Sequence, residues 1–150
     1  MAEQNQKAGR TSALLRKLFN TRNLEKFIER NAAVMEIPAF HAYISELCSD
    51  RGQVPEQVIK RAGIERTYGH QLFNGTRKPS RDKVIQLAFG LDLDLDGAQK
   101  LLKIAQKSPL YPKIKRDAAI IYCLQHGKDI LDTQAVLHEL GLTLLGGESS

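Results

Sequence analysis

Residues 54–80, VPEQVIKRAGIERTYGHQLFNGTRKPS, constrain the fold more than any other stretch. Pro55 suits the first turn of a helix, which runs to about Arg61. Gly63 breaks that helix in a tight turn. A second helix covers 65–74, Gly75 stops it, and Pro79 stiffens the exit. Val58, Ala62, Ile64 and Leu72 are apolar where the two helices must meet their neighbours. Two short helices joined by a glycine-containing turn make a helix-turn-helix.

Charge is concentrated on the same stretch. Between positions 60 and 83 stand Lys60, Arg61, Arg66, Arg77, Lys78, Arg81 and Lys83, against only Glu65 and Asp82. That window accounts for the whole formal net charge of +5. An excess placed on one motif fits polyanion binding better than general solubility.

The spacing from Gly63 to Gly75, Leu72-Phe73-Asn74-Gly75, and the run Arg77-Lys78-Pro79-Ser80 together resemble the Xre-like, or lambda-repressor-like, helix-turn-helix DNA-binding family. The resemblance covers roughly residues 38–107. Residues from Tyr68 through LYPKIKRD to the last helix also look like bacterial helix-turn-helix proteins with a C-terminal two-helix extension. The resemblance implies an all-α bundle whose second motif helix lies in the major groove. Arg66, Thr67, Tyr68 and His70 would then contact bases, with Tyr68 equally suited to fold back against the core. Gln57, Asn74, Arg77, Lys78 and Arg81 would contact phosphates, which orient but do not specify. Arg66 suits guanine O6 and N7, and Thr67 a thymine methyl. Two positions depart from the family pattern: Ile59 stands where Ala is usual, and Gly69 where Ile or Val is usual. The two sites face each other at the helix crossing, so the pair reads as a swap that keeps total volume. Pro55 replaces a Gln that the family uses to grip phosphate. Glu65 would repel phosphate, unless it accepts from cytosine N4 or charge-matches the helix end.

The other segments also read as helical. Residues 1–10 are polar, the composition of a disordered end. A short helix is expected over 12–19 with Ser12 as cap. Another is expected over 23–35 with Leu24, Phe27, Ile28 and Met35 as one stripe. Residues 1–37 thus form a basic arm with helices. A flap packed by its stripe on the body or on a second subunit is preferred to an arm that follows the phosphate backbone. Pro38 opens a helix with Phe40, Ile44 and Leu47 inward. Ser80 caps 81–89, with Val84, Ile85, Leu87 and Ala88 inward.

LDLDLDG at 91–97 imitates the start of a calcium loop, but its twelfth position is Lys103, a cation where a bidentate Glu is needed. Its Asp residues instead suit the N-terminus of a helix running to about 107, with Ala98, Leu101, Leu102 and Ala105 inward. SPLYP at 108–112 marks a boundary. A helix over 113–126 follows, with Ala118, Ile121 and Tyr122 inward. A last helix starts at an Asp129 cap with Val136, Leu137 and Leu140 inward, and GGESS forms a mobile tail. Residues 108–150 are therefore an extension packed on the same core. Lys113, Lys115 and Arg116 offer either a second basic patch or a solvated face.

Cys48 and Cys123 show no metal or redox spacing and read as buried thiols. His41, His70, His126 and His138 have no metal-ligand spacing, and no phosphate loop or nucleophile motif is present. No enzyme activity, cofactor or metal is expected. No apolar run is long enough to span a membrane, and the N-terminus lacks a signal core. The expectation is a cytoplasmic, bacterial or phage-type regulator that binds double-stranded DNA as a homodimer, nucleoid-associated when bound. The alternative is a protein-binding adaptor or antitoxin that reuses the fold, its partner held by the terminal helices.

Overall fold

A computed structural model describes the backbone of residues 2–147 and the side chains of residues 11–147. Its described residues form helices and no strand, so the chain is all-α. It divides into two compact units, residues 1–37 and 38–150. No described helix is long and apolar enough to cross a membrane.

The first unit holds α1 (Ala2–Asn20), α2 (Leu24–Arg30) and α3 (Ala32–Met35). Residues 2–10, expected to be disordered, form the first half of α1, and Ser12 lies inside the helix rather than at its cap. Ala, Glu, Gln and Lys dominate this segment, and all four favour helix. The helix expected over 23–35 breaks at Asn31, whose Nδ2 donates to the Phe27 carbonyl at 2.8 Å. Asn23 caps α2 by accepting from the Lys26 N–H. Of the predicted stripe only Phe27 is buried; Leu24, Ile28 and Met35 are exposed.

The second unit begins with α4 (Phe40–Asp50), two residues beyond Pro38, and buries Ile44 and Cys48. Next come α5 (Pro55–Arg61) and α6 (Arg66–Asn74). Gly63, at φ 69°, turns the chain between them, and Gly75, at φ 85°, closes α6 in the left-handed conformation. Val58, Ala62, Ile64 and Leu72 are all buried, as expected. A Cβ on Gly69 would stand 2.3 Å from Ile59 Cγ2, so Ile59 occupies the volume that Gly69 leaves open.

Ser80 caps α7 (Arg81–Gly90) by accepting from the Lys83 N–H, and the helix runs through the middle of the core. Its last residue, Gly90, lies against α5: a Cβ there would meet the Val58 carbonyl oxygen at 2.4 Å. Asp94 caps α8 (Leu95–Ile104), and Asp129 caps α10 (Ile130–Glu139), each accepting from the N–H three residues on. α8 buries Ala98, Leu101 and Leu102.

Two faces differ from expectation. α9 (Lys115–Gln125) buries Asp117, Ala119, Ile120, Cys123 and Leu124. Tyr122, expected inward, is exposed and stacks on His126 at 4.1 Å. On α10, Leu137 is buried but Leu140 is exposed. The cause on α9 is charge. Arg116 and Asp117 are both drawn inward to partners on α7, and this fixes the rotation of the helix.

Those partners are Asp82 and Arg81, so an Arg-Asp dipeptide on α7 cross-pairs with an Arg-Asp dipeptide on α9. Arg81 Nη1 and Nη2 donate to the two Asp117 oxygens at 3.2 and 2.9 Å. Arg116 also donates to the Thr143 and Leu144 carbonyls, and Asp82 accepts from the Gly146 N–H at 2.9 Å. The tail, expected to be mobile, is therefore docked as far as Gly146, with Leu145 buried; residues 148–150 lie outside the described residues.

Candidate nucleic-acid interface

α6 buries Gly69, Leu72 and Phe73 on one side and turns Arg66 and Thr67 to solvent on the other. Its start is built by Glu65, which caps the helix. Oε1 accepts from the Thr67 N–H and Oε2 from the Tyr68 N–H, both at 2.9 Å. Those two backbone bonds, Tyr68 first, hold the Glu65 carboxyl below its usual range. The carboxylate that would repel a phosphate is thus engaged with the helix end.

Arg66 and His70 stand one helical turn apart and share one acceptor, Glu56, in the first turn of α5. Arg66 Nε lies 2.6 Å from Glu56 Oε1, and His70 Nε2 lies 3.2 Å from Oε2. The Arg66 hydrogen bond, then that of His70, lowers the Glu56 pKa. The pairing is open to water: the Arg66 side chain is 75% exposed and that of Glu56 51%. Exposed pairs of this kind are weak, so Arg66 is ordered by Glu56 but not locked to it.

Tyr68 is half-buried and packs against the core. The Arg77 guanidinium lies 4.3 Å from its ring centre and the Lys83 ammonium 5.4 Å, so the ring supports two cations from below. Asn74 accepts from the Thr76 N–H at 2.8 Å, which shapes the turn out of α6. Gln57, Asn74, Arg77 and Lys78 are exposed.

Arg81 is placed differently from the other predicted phosphate contacts. Besides its pair with Asp117, it donates through Nε to the Ser108 carbonyl at 2.9 Å and through Nη2 to that of Pro109 at 3.0 Å. It ties α7 to the 105–114 connection. Arg116 leaves the proposed second basic patch in the same way, paired with Asp82. Arg61 donates to the Gly90 carbonyl at 3.0 Å. Of the seven bases in the 60–83 window, Lys60, Arg77 and Lys78 are exposed and make no hydrogen bond through the side chain among the described residues.

The structure thus joins Arg66 to His70 through Glu56, joins Tyr68 to Arg77 by a cation–π contact, and sets Arg81 apart. Glu56 was not singled out by sequence. The alternating order Glu56, Arg66, His70 carries no local signal, because the pairing exists only once the turn at Gly63 folds α6 back on α5. No family model, curated protein or solved structure matches the chain.

Proposed function

We propose that the chain is a sequence-specific DNA-binding transcriptional regulator whose second unit is a lambda-repressor-like helix-turn-helix bundle with a two-helix extension. The observation that carries the proposal is the division of α6. One side is buried, while the leading residues Arg66 and Thr67 face solvent with Arg77 and Lys78 exposed just beyond the helix. A helix presented in this way can lie with its N-terminal end against base edges while the following basic turn meets phosphates. Arg66, Thr67 and His70 then read bases, Tyr68 supports Arg77 from beneath, and Gln57, Asn74 and Lys78 position the backbone.

A cytoplasmic homodimer on paired half-sites completes the proposal. The last two helices expose Tyr122, Leu131 and Leu140, and this apolar surface equally favours the second reading, an adaptor or antitoxin that binds a protein. Selection of bound fragments from random DNA tests the choice. A regulator enriches a consensus with two half-sites. An adaptor enriches none.

A further inference from the structure

We propose that the N-terminal unit carries its own binding site for the phosphate backbone of duplex DNA, in the cleft between α1 and α2. The cleft has a volume of about 870 Å³ and is lined by Arg16 and Lys17 of α1, Arg22 of the connection, and Lys26 and Arg30 of α2. Residues 11–37 contain no other Lys or Arg. Their three acids, Glu25, Glu29 and Glu36, all lie outside the lining. Every cation of this stretch therefore lines one concavity, and none of its anions does.

Five like charges that line one concavity repel one another, and no acid of residues 11–37 stands in the lining between them. None of the five makes a side-chain hydrogen bond or ion pair among the described residues. The same geometry concentrates positive potential, because a concave wall focuses the field. A phosphodiester strand supplies the missing negative charge at regular spacing, and its counterions leave when Lys and Arg replace them. Asn20 and Asn23 in the lining add neutral amide side chains of the kind that bond phosphate oxygens.

A bilayer surface is a poorer fit. α1 does expose Leu15, Leu18 and Phe19, but none of these lines the cleft. An interfacial helix spreads its cations beside its apolar face so that both meet a flat surface. Here the cations turn into a hollow that a flat surface cannot enter and a backbone ridge can. The proposal stands independently of α6.

The experiment uses the full chain with Arg66, Arg77 and Lys78 replaced by Ala, and a random-sequence duplex read by fluorescence anisotropy over a salt series. This chain is expected to keep salt-dependent binding. Adding Arg22→Ala, Lys26→Ala and Arg30→Ala should weaken it at least about tenfold at low salt and flatten the slope of log K against log salt by about 2 to 3. Arg22→Lys with Arg30→Lys, which keeps the charge, should restore both. An unchanged slope and affinity after the three Ala substitutions would overturn the proposal. So would loss of binding to phosphatidylglycerol vesicles while duplex binding stays intact. Failure of the α6 proposal would show separately, as absence of sequence preference in the chain with its cleft unaltered.

Discussion

Arg116 and Asp82 form a two-bonded ion pair, Nη1 to Oδ1 at 3.0 Å and Nη2 to Oδ2 at 2.8 Å, with the Asp82 side chain almost wholly withdrawn from water. Burying such a pair costs desolvation that its Coulomb attraction only roughly offsets, so its role is orientation. It sets which face of α9 meets the core, and Arg116 carries the bond onward to the Thr143 and Leu144 carbonyls. The adjacent Arg81–Asp117 pair repeats the arrangement with the charges reversed.

Removing Arg116 leaves the buried Asp82 carboxylate without its ion-pair partner, held only by the Gly146 N–H and the nearby Arg81 charge. Arg116→Met is predicted to lower stability by about 3 kcal/mol, read from denaturant melts of the full chain. Arg66→Met, which removes an exposed cation, should leave stability almost unchanged. Equal effects would mean that the α7–α9 pairing does not organise the second unit.

The same pair sets a pH dependence. Burial pushes the Asp82 carboxyl up, but the Arg116 hydrogen bonds, the Gly146 N–H and the Arg116 and Arg81 charges outweigh it, and the pKa is lowered. The folded chain therefore holds this carboxylate ionised more firmly than the unfolded one. Its contribution is complete above the ordinary carboxyl value of about 3.9 and is lost as pH falls through the lower folded value. Melts below about pH 4 should show a stability loss that Asp82→Asn flattens. A variant as acid-sensitive as the parent would contradict this.

Gly69 gives a third prediction. Ala normally favours a helix by up to about 1 kcal/mol over Gly. Here Gly69→Ala should instead destabilise, by about 1–3 kcal/mol, because its Cβ would overlap the buried Ile59 side chain, three of whose carbons lie within 3 Å of it. Ile59→Ala combined with Gly69→Val should recover most of that loss, and a double-mutant cycle would show strong coupling. Additive effects would exclude the volume swap.

Much of this architecture was legible locally. Ser80, Asp94 and Asp129 announce helix starts, and Gly63 and Gly75 announce turns, because each acts on backbone groups within a few residues. The rotation of α9 was not legible. Its apolar residues permit more than one face, and the choice falls to charges at 116 and 117 whose partners lie more than thirty positions away. The same distance hid the removal of Arg81 from the candidate surface, although the repeated Arg-Asp dipeptide was the available clue. Glu56 escaped notice for a similar reason, and the segregation of charge in residues 11–37 emerges only when α1 and α2 enclose a cleft.

Glu56 itself is testable. It holds Arg66 and His70, and its own charge opposes phosphate. Glu56→Gln should strengthen binding to all DNA sequences and steepen the salt dependence by about one counterion, as measured by anisotropy. It should also blur sequence choice, since Arg66 exchanges the carboxylate that orders it for a neutral, weaker amide oxygen. Unchanged affinity for random DNA would place Glu56 away from the bound duplex.

The most direct measurement compares Arg66→Ala with Lys78→Ala on a selected site and on random duplex, at several salt concentrations. Arg66→Ala should cost about 1–3 kcal/mol on the selected site and little on random DNA, whereas Lys78→Ala should weaken both alike and reduce the salt slope by about 1. Identical losses on both DNAs from both substitutions would contradict the assignment of α6 as the element that reads sequence.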